Sequence, residues 1–355
     1  MSRALAIAVS LLALGCGSRS GLLSLPLGEG GSSAFGGTGG AAGTQGSGGA
    51  EGAHASCAFG TVPVVVAAGI ARAYAIAVDE DHVFVTSAVD GGALVRIPKG
   101  GGEPVVLVSG LGRPRHIVLD AARVWLTSPM DGRVLSVEKD GSVVQVIVPE
   151  SPGHPEGIAR AGDATVWVRQ GPGVDAGALL AWESVAPDVT LLASGLDDPG
   201  PLVASAGHAY WIDNTSGGTP GIWHFAQATT AVPQMLTPLP AANGNDLALS
   251  DTHVYYAMNA EIGRVPRSGG PREPLAAGSF ARALALAPAA DQLYWVEGGA
   301  TSSGRLARMP MAGGAPETLA TGLSVPRGVA LDDACVYWTN QGVGDADGNV
   351  MARSR

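Results

Sequence analysis

Val329 to Asn340 reads Val-Ala-Leu-Asp-Asp-Ala-Cys-Val-Tyr-Trp-Thr-Asn, and Ile76 to Thr86 reads Ile-Ala-Val-Asp-Glu-Asp-His-Val-Phe-Val-Thr. These are two copies of one phrase: a short apolar run, an Asp-rich turn, then an apolar run centred on an aromatic. Seven copies align on that aromatic, at Phe84, Trp125, Trp167, Tyr210, Tyr255, Tyr294 and Tyr337. The intervals are 41, 42, 43, 45, 39 and 43 residues. A period with room for four short strands predicts an all-β chain folded as a β-propeller. The count of phrases predicts seven blades, with six or eight as the alternatives.

Within a unit, strand a is the first apolar run, such as Val329 to Leu331, and strand b carries the aromatic, such as Val336 to Thr339. Strand c is typified by Ala93 to Pro98. Strand d follows a glycine-rich hairpin, as in Pro104 to Val108 after Gly100-Gly101-Gly102. Related hairpin glycines are Gly269-Gly270 and Gly313-Gly314, where such turns demand positive φ. The last unit ends after strand c, Asn349 to Arg353. Its missing strand is found at the other end: Val62 to Gly69 matches Glu103 to Gly110 position by position. The N-terminal strand is therefore expected to complete the seventh blade and hide its edge.

Composition agrees. The 355 residues include 53 Gly and 24 Pro, and only 15% are charged, as suits many tight turns. A net charge of −10 repels phosphate backbones, so nucleic acid is not an expected partner. Arg3 followed by the apolar run Ala4 to Leu14 reads as an export signal, too short to span a bilayer. It ends in Ala13-Leu14-Gly15-Cys16, which resembles the bacterial lipobox, although Ala13 stands where Leu is commoner. That resemblance implies lipidation of Cys16; an ordinary secretory signal is the alternative. Residues 17–56 hold twelve glycines between Gly28 and Gly52 and read as a disordered tether. The expected organisation is 1–16 signal peptide, 17–56 tether and 57–355 propeller.

With Cys16 lipidated, Cys57 and Cys335 remain as an even pair in an oxidising setting. Cys335 opens strand b of the last unit and Cys57 precedes its strand d. Strands b and d are parallel and about 10 Å apart, so a few residues of chain suffice to bring the Cα atoms to the ~5.5 Å of a disulfide.

Val336-Tyr-Trp-Thr-Asn340 resembles the YWTD motif of the low-density lipoprotein receptor class, and Tyr210 to Asp213 and Tyr294 to Glu297 are weaker echoes. The wider pattern, from about Thr61 to Arg355, is similar to NHL and TolB-type propellers and to bacterial propeller lipoproteins. The resemblance implies fold and says little of function. YWTD propellers usually have six blades, against seven phrases here.

In propellers the loops entering strand a and joining b to c share one face, where ligands usually bind. The position at the start of strand a is Tyr74, Arg115, Glu156, Gly200, Asn245, Arg282 and Arg327, and the next adds His116 and Asp246. Three arginines on an acidic protein point to a carboxylate, phosphate or acidic sugar ligand. The alternative is that these arginines tie neighbouring blades through backbone carbonyls. Streptogramin lyases are seven-bladed and use a His, an acid and a metal at such a mouth. Here His116 and Glu156 are the candidates, and the Gly-rich His phrase of that family is absent. No catalytic residue, metal or cofactor is assigned. Asp345 to Asn349 resembles part of a Ca²⁺ loop but lacks its Glu, and a turn is expected instead. Asp79, Asp120 and Asp332 are expected to shape the a–b turns at the opposite mouth.

Three classes of function fit. The first is a monomeric, lipid-anchored propeller of the cell envelope, outer membrane favoured, binding an envelope protein or a small anionic or sugar ligand. The second is an envelope lyase or lactonase using Arg115, His116 and Glu156. The third is an accessory subunit of an outer-membrane assembly machine.

Overall fold

A computed structural model of the chain describes residues 57–149, 153–215, 217–227, 232–299, 301–344 and 346–355. Cys16, the signal segment, the tether 17–56 and Asp345 lie outside the described residues. Seven four-stranded antiparallel sheets form seven blades. Blades 1 to 6 occupy residues 73–112, 117–148, 154–196, 199–238, 244–277 and 281–323. Blade 7 takes three strands from 326–354 and its outermost strand from Val64–Ile70. That strand pairs with Gly348–Ser354, with Val64 opposite Ala352 and Ile70 opposite Gly348.

Strand b is sandwiched between sheet neighbours and adjoining blades, so it is buried on both faces and reads as a near-continuous apolar run. The seven aligned aromatics are all buried. Clusters of such side chains fill the seams between blades, for example Tyr294 with Trp338 and Tyr255 with Trp295. The hairpin glycines behave as expected: Gly101, Gly269 and Gly313 all take positive φ. Their N–H groups donate to Pro98, Pro266 and Pro310 carbonyls at 2.9 Å.

The a–b turns are built by aspartate. Asp79 accepts from the Asp81 and His82 N–H groups, Asp120 from Ala122 and Arg123, and Asp332 from Ala334 and Cys335. Asp347 likewise accepts from the Val343 and Gly344 N–H groups, which is turn chemistry.

The closing strand is held twice. Val66, Ala67 and Ile70 lie in the core cluster with Ala73, Val83, Tyr337 and Val350, which joins blade 7 to blade 1. A Cys57–Cys335 disulfide, Cα–Cα 5.2 Å, adds a covalent closure across 278 residues. It sits at the face of the a–b turns, beside Asp79 and Asp332. The disulfide thus lies at the end of the ring opposite the face formed by the d–a and b–c loops.

Candidate functional site

Six of the seven inner strands lose register with strand b where they start, between Ala73/Ile76, Pro155/Ile158, Pro199/Leu202, Gly244/Asp246, Ala281/Ala283 and Pro326/Val329. An irregularity of this kind turns a side chain out of the ladder and into the channel mouth. Tyr74, Glu156, Gly200, Asn245, Arg282 and Arg327 all sit inside these breaks. In blades 1 and 7 the unpaired N–H is recovered by a threonine of strand b: Ala75 donates to Thr86 Oγ1 at 3.0 Å and Gly328 to Thr339 Oγ1 at 2.9 Å. Thr339 then donates to the Tyr74 carbonyl of the next blade at 2.7 Å. Thr127 does the same to Glu156 at 2.8 Å. Thr127 and Thr339 are therefore blade-to-blade clamps at the mouth.

The mouth is two-sided. Arg72, Tyr74, Arg113, Arg115 and Arg327 line one cavity of about 460 Å³ with Asp90 and Gln341. Of its four arginines, Arg113 is paired with Asp90 at 2.9 Å and Arg115 with Glu156 at 3.3 Å. Below it, a cavity of about 140 Å³ in the channel is lined by Arg115, His116, Asn245, Asp246, Arg282 and Arg327. Blades 3 and 4 carry the opposite charge: Glu156, and Asp213 gripping the Asp197 and Asp198 N–H groups at 3.2 and 3.1 Å.

None of the three arginines expected from sequence has a described hydrogen bond to a backbone carbonyl. Arg115 contacts both Glu156 oxygens at 3.3 and 3.4 Å, and Arg327 Nε donates to Gln341 Oε1 at 2.6 Å while its guanidinium stands 5.6 Å over Tyr74. Arg282 Nε is buried without a hydrogen-bond partner among the described residues. Burial lowers the Arg327 pKa; Tyr74 opposes this, and the charges of Arg282, Arg115 and Arg72 add to it. Through its contact with the Glu156 side chain, Arg115 ties blade 2 to blade 3, and other residues supply further inter-blade ties. Asn245 Nδ2 donates to the Ala281 carbonyl at 2.7 Å, and Asp246 accepts from the Leu284 N–H at 2.9 Å. Burial pushes Asp246 up to about 7 against two backbone N–H bonds.

Sequence reading missed Arg72, Arg113 and Gln341. The Arg113-Pro114-Arg115 triplet was the available signal, since it repeats the Val325-Pro326-Arg327 frame.

His116 Nε2 stands 3.8 Å from Glu156 Oε2, too far for a direct hydrogen bond. Burial, then the Arg115 charge, brings the imidazole down to about 4. Burial raises the Glu156 pKa, with Arg115 opposing. The native state therefore holds His116 neutral where the unfolded chain, at 6.5, binds a proton. Its contribution is fully present above pH 6.5 and is lost as pH falls toward 4. Because 28% of the side chain stays exposed, we expect a loss of about 1–2 kcal/mol rather than the full shift. Relative to the parent, His116→Gln should gain that amount between pH 7 and pH 4.5 in urea denaturation. A pH-independent difference would refute it.

Among the described residues, no group of three or more His, Cys, Asp or Glu is arranged to hold a metal ion, and no helix is long and apolar enough to cross a membrane. No protein-family model and no curated protein matches the chain. Solved structures do. A streptogramin B lyase is 13% identical with a TM-score of 0.64, over 83% of this chain and 97% of that one. A chain of the nidogen/laminin complex is 18% identical with a TM-score of 0.52, over 65% and 89%. A gluconolactonase from Xanthomonas campestris is 14% identical with a TM-score of 0.52, over 66% and 86%. Likeness at these identities concerns architecture alone: this chain is a seven-bladed β-propeller closed by its own N-terminal strand.

Proposed function

We propose that this propeller is a cell-envelope binding protein, lipid-anchored through Cys16, that takes a small anionic ligand at its arginine-lined mouth. The observation that carries the reading is the convergence of Arg72, Arg113, Arg115 and Arg327 on one cavity. Only Arg113 and Arg115 have carboxylate partners there, and gathering further like charge at one mouth is unfavourable for the free protein. A carboxylate or phosphate offsets that repulsion, and the planar fork of arginine grips it bidentately. The apolar run ending at Cys16 supports the anchor, and the Cys57–Cys335 bridge fits an oxidising compartment. The ring acts as a monomer with no nucleic-acid partner.

Calorimetric titration of the full chain with propane-1,2,3-tricarboxylate tests the site. Binding is expected at about 0.1–1 mM, some 4–5 kcal/mol, and should weaken as salt shortens the Debye length from ~30 to below ~10 Å. No binding at low salt would overturn the reading. Cys16→Ser should abolish palmitate labelling and release the protein into a soluble fraction; unchanged labelling would refute the anchor.

A second reading is a lyase or lactonase. It is favoured by the neutral His116 beside the buried Glu156, an arrangement suited to general-base work. It predicts turnover of an acidic sugar or lactone that His116→Gln abolishes while binding persists.

A further inference from the structure

Four consecutive blades carry an unusual residue where the outer strand hands over to the next inner strand. Phe280 (φ 57°), Val325 (52°), Arg72 (46°) and Arg113 (54°), on blades 6, 7, 1 and 2, all have left-handed backbone. None is glycine, and an L side chain is strained in this conformation; a β-branched valine there is a genuine outlier. In blades 6, 7 and 1 the conformation is pinned by a backbone bond from the residue after strand b. Gly298 N–H donates to Phe280 O at 3.1 Å, Gln341 to Val325 O at 3.0 Å, and Ala88 to Arg72 O at 3.2 Å. This rim stands two residues before the inner tier of Arg282, Arg327, Tyr74 and Arg115. Strained backbone held by fixed bonds is concentrated at functional surfaces, and these four residues stand on one arc of the mouth.

The rim is chemically divided: two apolar residues, then two arginines. Phe280 is 51% exposed, although large aromatics are usually covered. Its ring lies 5.7 Å from the guanidinium carbon of Arg282. Arg282 lines the channel cavity and holds the buried, unpartnered Nε. Arg282 thus connects the channel cavity to the exposed Phe280 ring.

We propose that the mouth selects anions bearing a flat apolar group, with the aromatic part resting on Phe280 and the charge held by the arginines. The inference rests on the anion-binding reading and names its ligand class. Arg282, stacked on one side of the Phe280 ring, restrains it, so a ligand ring meets a preset surface and loses little side-chain entropy. An aliphatic anion of equal charge satisfies the arginines but leaves Phe280 in water.

The test is a matched pair: benzene-1,2,4-tricarboxylate against propane-1,2,3-tricarboxylate, titrated into the full chain. The aromatic compound should bind about fivefold more tightly, the scale of one aromatic contact. Phe280→Ala should bring the ratio to about one with the aliphatic affinity unchanged, and Phe280→Tyr should keep the preference. Arg327→Ala should weaken both compounds alike. Equal binding of the pair by the parent, or a preference that survives Phe280→Ala, overturns the proposal while leaving the anion reading intact. Failure of both compounds to bind the parent overturns the two together.

Discussion

Removing residues 57–70 is expected to abolish cooperative unfolding of the whole ring. The strand Val64–Ile70 contributes Val66, Ala67 and Ile70 to the cluster between blades 7 and 1. Burial of Val66 and Ile70 is worth roughly 1.5–3 kcal/mol each. Its loss also exposes the outer edge of Gly348–Ser354, an unpaired strand of the kind that recruits other chains. The disulfide is the milder test. Closing a loop of 278 residues restricts the unfolded chain by about 5–6 kcal/mol in the entropic picture, and removal of a native bridge usually costs about 2–5. Reduction alone should therefore lower the melting temperature by several degrees, and the deletion by far more. Scanning calorimetry on oxidised, reduced and truncated protein reads all three. A truncated ring that melts with the parent would show that the seventh blade does not depend on its N-terminal strand.

The double change Arg115→Ala, Arg327→Ala should lower affinity for a tricarboxylate about a hundredfold or more, since each charge-assisted hydrogen bond contributes about 1.5–3 kcal/mol. The expected effect on stability separates a binding site from a scaffold. Arg327 is bonded to a side-chain amide, and the neighbouring Arg282, Arg115 and Arg72 work against its charge. Its removal relieves repulsion. Arg115 compensates the buried Glu156, so its removal should lower the melting temperature, and adding Glu156→Gln should restore most of that loss. With Glu156→Gln included, the variant should melt within a few degrees of the parent. Lost binding with unchanged melting supports the anion site. A large fall in melting temperature, with no anion binding by the parent, would mean that the arginines hold blades together.

The aromatic column, Phe84 to Tyr337, was legible because strand b is central in every blade and its burial leaves a periodic apolar signature. The match of Val62–Gly69 to Glu103–Gly110 exposed the closure, because an outer strand carries the same alternation wherever it lies in the chain. Cys57 and Cys335 were paired by counting strand spacings. The roles of single mouth residues were less legible. Asn245 and Asp246 stood in the right column, yet they spend their hydrogen bonds on the blade 5–6 seam. Thr339 was seen as a member of a phrase but not as a clamp, and Thr127 was not singled out. Their partners are carbonyls and N–H groups released by irregular strand starts, which residue type does not reveal. The left-handed rim at Phe280, Val325, Arg72 and Arg113 was invisible for the same reason. None is glycine, so nothing local marks a positive φ that neighbouring loops impose.

By itself, then, the sequence determined the all-β class, seven units, the mixed-terminus closure and the disulfide, since each depends on short-range patterning or on the count and direction of strands. The convergence of charge was decided by the tertiary structure. Arg115 and Arg327 are 212 residues apart in the chain and share one cavity with Arg72 and Arg113 only because the ring closes between blades 7 and 1. That closure brings the first and last units side by side, and it gathers on one arc a basic site that an overall charge of −10 conceals.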